Sequence, residues 1–170
     1  MNTAVRVAGP FATRKGAQPF PWGAVQGTVL LNDAVLRDAA ALAQTHYAQA
    51  EADEFCGDAV EDYLVPGWMP EIGTWFPSAE VRALGFEQAA GERAQLLATV
   101  GVDPHVDAIH GPVFILVLHN DGLAFKQGRQ RHKTKAGEWF VFLDSKEHGV
   151  QDARKTTTYL ALAIPLRALC

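Results

Sequence analysis

The pattern of apolar and polar residues divides the chain into two parts. Between residues 25 and 94, the stretch GTVLL indicates a short strand, and Asn32 is a candidate N-cap for an Ala-rich helix that ends near residue 52. The stretch SAEVRALGFEQAAGE predicts one helix or two short ones. Residues 1–24 contain Gly, Pro and Trp without periodicity, and we interpret them as an N-terminal extension.

After Gly91, short apolar or alternating runs replace the helical pattern. The runs AQLLATVGV, PVFILVLHN, GLAFKQG, EWFVFLD and TTTYLALAIPL are separated by turn sequences such as HNDG and KAGE. Several short strands that follow helices are typical of an antiparallel sandwich or jelly roll with the helices packed outside. We therefore predict an α+β fold in a single domain: the extension at 1–24, helical support and an aromatic loop at 25–94, and a β core at 95–170.

Composition limits the class of protein. The 170 residues are 48% hydrophobic and 20% charged, which is ordinary for one globular domain with a real core. No apolar run is long enough to span a membrane, and the N-terminus lacks the pattern of a signal peptide. Cys56 and Cys170 are the only cysteines, so we expect reduced thiols in a cytoplasmic protein and exclude thiolate metal clusters.

The positive charge is concentrated in one segment. Residues 126–135, KQGRQRHKTK, hold five of the fifteen Lys and Arg residues and no acidic residue, although the net charge of the chain is −4. Such a segment is either a solvated hairpin tip or a local anion site on an acidic body.

Three residues with metal-binding side chains lie at predicted strand ends. In GVDPHVDAIHG, His105 and Asp107 are two residues apart, so on extended backbone their side chains point the same way. His148 follows the apolar strand EWFVFLD. In a jelly roll, the ends of non-adjacent strands meet at one end of the fold, and two His with one carboxylate is the ligand set of non-haem Fe(II) sites. The ordinary alternative is a hydrogen-bonded pair at a strand end and an unrelated turn histidine.

The segment from about Gln95 to Leu166 resembles the double-stranded β-helix core of the Fe(II)/2-oxoglutarate-dependent oxygenases. The resemblance depends on the order His-x-Asp, several strands, AGEWFVFLDSKEHGV, and then a basic residue before the last strand. It implies a double-stranded β-helix (jelly-roll or cupin-like) core with iron on His105, Asp107 and His148. It also implies 2-oxoglutarate and O₂ as co-substrates and hydroxylation of a substrate with release of succinate and CO₂. Because Asp107 is present, halogenation is disfavoured.

The resemblance also implies an anchor for the distal carboxylate of 2-oxoglutarate. Arg154 and Thr156 match the family's Arg-x-Ser/Thr element and share strand parity with Leu160 and Leu162. Arg154 follows His148 by only six residues, which is closer than the family's usual spacing. Lys155 and Lys126 are therefore alternative anchors.

The substrate side is less specific. Trp68 and Trp75 lie in a Pro-rich aromatic stretch, 63–77, that could cover the site, and Arg129 and Arg131 could bind an anionic substrate such as a small molecule, nucleotide or peptide. Two alternatives stay open: a cupin-like metal enzyme that does not use 2-oxoglutarate, and a non-catalytic binding module on the same fold. The anchor distinguishes the oxygenase from both alternatives, because neither alternative needs a cation that binds 2-oxoglutarate.

Overall fold

The structure is a computed structural model that describes residues 20–52, 60–63, 74–107, 111–151 and 158–169. These residues form the helices α1 (Asp33–Ala52) and α2 (Ser78–Ala83). They also form the strands β1 (Val25–Thr28), β2 (Val60–Tyr63), β3 (Phe86–Gln88), β4 (Gln95–Thr99), β5 (Val102–His105), β6 (Pro112–Asn120), β7 (Ala124–Gln127), β8 (Gln130–His132), β9 (Glu138–Leu143), β10 (His148–Gln151) and β11 (Tyr159–Ala168).

The strands form two sheets whose order identifies the fold. The major sheet has the order β1-β9-β6-β11-β4-β2, with β3 paired to the end of β11, and the minor sheet has the order β5-β10-β7-β8. From β4 onward the chain passes repeatedly from one sheet to the other, and every pairing is antiparallel. This is the double-stranded β-helix, or jelly roll, and it confirms the predicted fold class.

The major sheet is buried on both faces. On one face α1 and the residues around it form a core that includes Leu160, Leu162 and Ile164 of β11. On the other face, the major and minor sheets enclose a second core with Tyr159, Ala161 and Ala163 of the same strand. Successive residues of a strand point to opposite faces, so β11 divides its side chains between the two cores.

The helix α1 begins and ends as predicted. The Asn32 side chain accepts a hydrogen bond from the backbone N–H of Val35 (2.9 Å), which satisfies a donor that the first turn leaves unpaired. The helix then runs to Ala52. No helix in the described part of the chain is both long and apolar enough to cross a membrane.

The segment 25–94 supplies strands as well as helical support. The stretch SAEVRALGFEQAAGE was expected to form one helix or two short ones, but within it only Ser78–Ala83 forms a helix. Gly85, at φ 92°, lies just after the helix, and Phe86–Gln88 then pairs with Ala168–Leu166 of β11. The edge of β11 offers unpaired backbone groups there, so tertiary pairing overrides the local helical pattern.

Candidate metal centre

The pairing of β5 with β10 brings the two predicted histidine ligands together. His105 ends β5, His148 begins β10, and the two are direct cross-strand partners. Their rings lie 4.4 Å apart between centroids, which places both imidazoles on the same face of the minor sheet. The sheet register therefore joins two residues that are far apart in sequence.

Asp107 completes the cluster, two residues past the end of β5. Its Oδ2 lies 3.2 Å from Nε2 of His105 and 3.8 Å from Nε2 of His148. One ligand atom from each of the three residues lies within 4.8 Å of the others. The backbone N–H of Asp107 donates to the carbonyl of Asp144 (3.1 Å), which holds the segment after β5 against the β9–β10 turn.

The hydrogen bonds of the two rings direct their lone pairs into this cluster. Nδ1 of His105 lies 2.8 Å from the Asp103 carbonyl, and Nδ1 of His148 lies 2.9 Å from the Lys146 carbonyl. A carbonyl can only accept, so each Nδ1 carries a hydrogen, and Nε2 is the nitrogen through which each ring would bind a metal. Two ring nitrogens and a carboxylate oxygen then face one another, an arrangement that could hold a metal cation.

These donors fit a divalent metal such as iron. Neutral imidazole Nε2 atoms, each fixed by a backbone carbonyl at Nδ1, and one carboxylate form the 2-His-1-carboxylate set. Burial lowers the pKa of His148, against the opposing effects of its hydrogen bond to the Lys146 carbonyl and of the nearby carboxylates. His148 is therefore neutral at pH 7 and able to act as a ligand.

Gly149, directly after His148, allows the two strands to approach this closely. A Cβ at this position would lie 2.8 Å from the Val102 carbonyl oxygen and 3.1 Å from the backbone nitrogen of Pro104. Both contacts are with backbone, so a side chain here would push β10 away from β5. The sequence had suggested only a turn around His148, and this requirement for glycine follows from the strand pairing.

Gln127 supports the site from β7 and was not singled out by its sequence. Its buried side chain accepts from the backbone N–H of Leu143 (2.9 Å) and donates to the Leu143 carbonyl (2.8 Å). It also donates to the Lys146 carbonyl at 3.3 Å, the same carbonyl that orients His148. The sequence could have indicated this inward-facing position, because Gln127 shares strand parity with the core residue Phe125.

Asp144, just after β9, also faces the cluster. It is buried, and its Oδ1 lies 3.8 Å from Nε2 of His148. It raises the pKa of His148 and adds a second carboxylate beside the triad. The site therefore has more negative charge than the three ligands alone provide.

A cavity of about 330 Å³ extends from the triad between the two sheets. Its walls include the rings of Phe125, Phe140 and Phe142 and the small side chains Ala161 and Ala163. The triad lines one end, and Asp107 keeps 47% of its side-chain surface exposed, so the cluster is open to solvent on that side. A metal here would be accessible both from solvent and from the cavity.

The other site predictions have different outcomes. Arg154, Thr156, Lys155 and Trp68 lie outside the described residues, so their roles stay predictions. Trp75 is described, and the prediction that it binds substrate needs correction. It is 6% exposed in the core between α1 and the major sheet, and it does not line the cavity on the opposite face of that sheet.

The basic segment forms the β7–β8 hairpin beside the triad. Gln127, the last residue of β7, is the cross-strand partner of His148, so the turn that follows it lies at the triad end of the minor sheet. Lys126 pairs with Arg131, and Phe125, which lines the cavity, pairs with His132. Because faces alternate along a strand, Lys126 and Arg131 point to the outer face of this sheet, away from the cavity.

Two of the described histidines outside the triad, His119 and His132, lie on strands. His119 lies near the C-terminal end of β6, and its Nε2 is 3.0 Å from the Thr158 hydroxyl oxygen. His132 packs against Phe140, with ring centroids 5.8 Å apart. Burial lowers the pKa of both rings.

Comparison with known proteins gives only distant similarity. No family model matches the sequence, and no curated protein matches it. A prolyl-4-hydroxylase from Pseudomonas putida is similar in structure, with 16% identity and a TM-score of 0.45 over 85% of this chain and 92% of that one. A Trichoplax adhaerens prolyl hydroxylase, solved with a hypoxia inducible factor peptide fragment, has 11% identity and a TM-score of 0.49 over 84% and 82%.

A cupin protein from Desulfovibrio desulfuricans has 19% identity and a TM-score of 0.33 over 47% of this chain and 80% of that one. These TM-scores are all below 0.5, so the fold and the site are assigned from the strand order and side-chain geometry described above. The His-Asp-His triad on this fold fits the superfamily of Fe(II)/2-oxoglutarate-dependent oxygenases that the sequence resembles.

Proposed function

We propose that the protein is an Fe(II)-dependent dioxygenase that uses a 2-oxo acid as co-substrate and hydroxylates an unidentified substrate. In this reaction O₂ supplies one oxygen atom to a substrate C–H bond, which becomes an alcohol. The other atom goes to the 2-oxo acid, which loses CO₂ and becomes the shorter carboxylic acid. The resemblance implies 2-oxoglutarate, with succinate as the product.

The observation that carries this proposal is the convergence of His105, Asp107 and His148. Nε2 of each histidine and Oδ2 of Asp107 would hold the metal, and the backbone carbonyls at each Nδ1 would keep the rings in place. Ferrous iron, when bound, would supply the electrons for O₂ activation and open coordination positions for the 2-oxo acid and O₂. The apolar walls of the cavity beside the triad would keep water away from the part of the bound molecule that lies inside it.

The anchor for the co-substrate remains a proposal on Arg154 and Thr156. The sequence had grouped Arg154 and Thr156 with Leu160 and Leu162, because all four share strand parity. In the described part of β11, however, Leu160 and Leu162 face the helix-side core, so parity with them does not place a residue in the cavity. The residues of β11 that face the cavity are Tyr159, Ala161 and Ala163. Arg154→Ala should weaken 2-oxoglutarate binding by about 1.5–3 kcal/mol if its guanidinium reaches the carboxylate.

One observation favours the second candidate, a cupin-like metal enzyme that needs no 2-oxoglutarate. Of the described residues, no Lys or Arg lines the cavity, and Lys126 points to the outer face of the minor sheet. An enzyme whose substrate binds the metal directly would have no need of such a cation.

An anionic substrate would be bound by the β7–β8 hairpin. Arg129 and Arg131 are exposed. Arg129 lies in the turn between β7 and β8, next to the triad end of the minor sheet, and Arg131 lies in β8. Neighbouring strands lie about 4.8 Å apart, so β8 runs about 10 Å from β10 and His148. A bound phosphate or carboxylate could therefore contact Arg129 in the hairpin turn while another part of the same molecule is at the metal; Arg131, on the outer face, could add positive charge nearby.

The test is an anaerobic Fe(II) titration with and without 2-oxoglutarate. A weak visible charge-transfer band that forms only when both are present would support the proposal. The band and stoichiometric Fe(II) binding should disappear in His148→Ala and persist in the matched variant His119→Ala, which removes a partly buried histidine outside the triad. Unchanged Fe(II) affinity in folded His148→Ala would refute the metal site and the function with it.

A further inference from the structure

The cavity beside the triad exists because β11 places small side chains on one face. Leu160, Leu162 and Ile164 fill the helix-side core, whereas Ala161 and Ala163 face the minor sheet. Across from these alanines, the minor sheet contributes Phe125 to the walls. Two alanines in the middle of a strand leave the space that larger residues would fill.

The walls away from the triad are almost entirely apolar. Apart from the triad, Tyr159 and Asp144 beside the metal centre, the polar residues that line the cavity in the described part of the chain are Gln95 and Thr99. Tyr159 also lines the cavity, and its hydroxyl oxygen is buried. Burial also raises the pKa of that hydroxyl, so it stays neutral.

This chemistry suits an apolar chain better than a second carboxylate. A carboxylate that leaves water for an apolar cavity loses its hydration, and it needs a paired cation and hydrogen bonds in return. In the described parts of the chain, the cavity walls offer no Lys or Arg for that purpose. An aliphatic or aromatic tail would instead contact the phenylalanine rings and the valine and isoleucine side chains that line the same space.

We propose that the cavity takes the apolar tail of the co-substrate, so that this enzyme prefers a 2-oxo acid with an aliphatic or aromatic side chain over 2-oxoglutarate. The inference rests on the proposed function, since the keto acid head would bind the metal held by the triad. The tail would then extend from the metal centre toward Ala163 and Ala161. Selectivity would follow from the apolar walls rather than from a charged anchor.

The experiment compares two 2-oxo acids of the same shape by anaerobic titration of the Fe(II)-loaded protein. These are 2-oxoglutarate and 2-oxo-5-methylhexanoate, in which an isopropyl group replaces the distal carboxylate. Binding is measured by the charge-transfer band and by calorimetry. We expect the Kd of 2-oxo-5-methylhexanoate to be lower by about 10-fold or more, because one methylene in an apolar pocket already changes selectivity by about 10-fold.

Variants that fill the cavity test where the tail binds. Ala163→Leu should remove the preference while Fe(II) binding and the melting temperature stay close to those of the parent. The matched control is Ala41→Leu, at an exposed position of α1. If Ala163→Leu does not fold, Ala161→Val makes a smaller change in the same wall and should reduce the preference partially.

The outcomes separate the inference from the function on which it rests. Tighter binding of 2-oxoglutarate that is lost in Arg154→Ala would overturn the inference and support the charged anchor, with the proposed function intact. Equal binding of both acids, or a preference unchanged in the cavity variants, would also overturn it. If Fe(II) binds but no 2-oxo acid produces a band or heat, both the inference and the proposed function are wrong.

Discussion

Gly149→Ala tests whether the close approach of β10 to β5 is what assembles the metal centre. The alanine Cβ would lie 2.8 Å from the Val102 carbonyl oxygen, whereas ordinary contacts begin at 3.4 Å. The strands must therefore separate by about 0.6 Å, or their backbones must twist. His148 is the residue before Gly149, and His105 is the residue after Pro104 on the opposing strand, so the displacement acts directly on the two ligands.

Two measurable effects follow from this displacement. Metal–ligand distances tolerate about ±0.2 Å, so we expect Fe(II) affinity to fall by about 10–100-fold, as when a supporting group of a metal site is lost. Overpacking should also lower the free energy of unfolding of the metal-free protein by about 1–3 kcal/mol. Anaerobic Fe(II) calorimetry measures the first effect, and denaturant unfolding of the metal-free protein measures the second.

Gly91→Ala is the matched control. Gly91 has φ 82°, and a Cβ there would meet nothing within 4 Å, so its alanine variant incurs only the cost of left-handed backbone, about 1–2 kcal/mol. That variant should lose stability and keep its Fe(II) affinity. The reasoning is refuted if Gly149→Ala binds Fe(II) as tightly as the parent protein, or if both variants lose affinity to the same degree.

Four further changes have defined outcomes. Gln127→Leu removes the side-chain acceptor of the Leu143 backbone N–H, so unfolding experiments should show a loss of about 1–3 kcal/mol, together with weaker Fe(II) binding. Trp75→Ala should lower stability by about 3–5 kcal/mol, while Fe(II) affinity in the remaining folded protein stays unchanged, as for a core residue. Charge reversal at Arg129 and Arg131 should weaken binding of an anionic substrate and leave the slow substrate-free consumption of the 2-oxo acid intact, which coupled and uncoupled turnover assays distinguish. Burial lowers the pKa of His119, His132 and His148 below the ordinary 6.5. Near and below that pH the unfolded chain therefore binds more protons than the folded protein, so folding stability falls as the pH falls. Thermal melts of the metal-free protein should show this decline from pH 7 to pH 5.

Local patterns in the sequence identified the parts that depend on short-range physics. The Asn32 cap, the Ala-rich helix and the strands after Gly91 follow from hydrogen bonding and from side-chain alternation within a few residues. The sequence also indicated His105, Asp107 and His148 as a group, because their side-chain types and the strand ends next to them are visible in it, and the structure brings the three together. Phe86–Gln88 was assigned incorrectly, since its strand forms only through pairing with the distant β11.

Tertiary structure alone decided which side chains face the cavity. The strand β11 is covered on both faces, so its run YLALAIPL is apolar throughout and its periodicity does not indicate which face is which. Packing of α1 against the major sheet assigns Leu160 and Leu162 to the helix side and leaves Ala161 and Ala163 facing the cavity. The register of β7 against β10 likewise places the basic hairpin at the triad end, and burial makes Trp75 a core residue. Each of these outcomes depends on contacts between segments far apart in the chain, which no local pattern encodes.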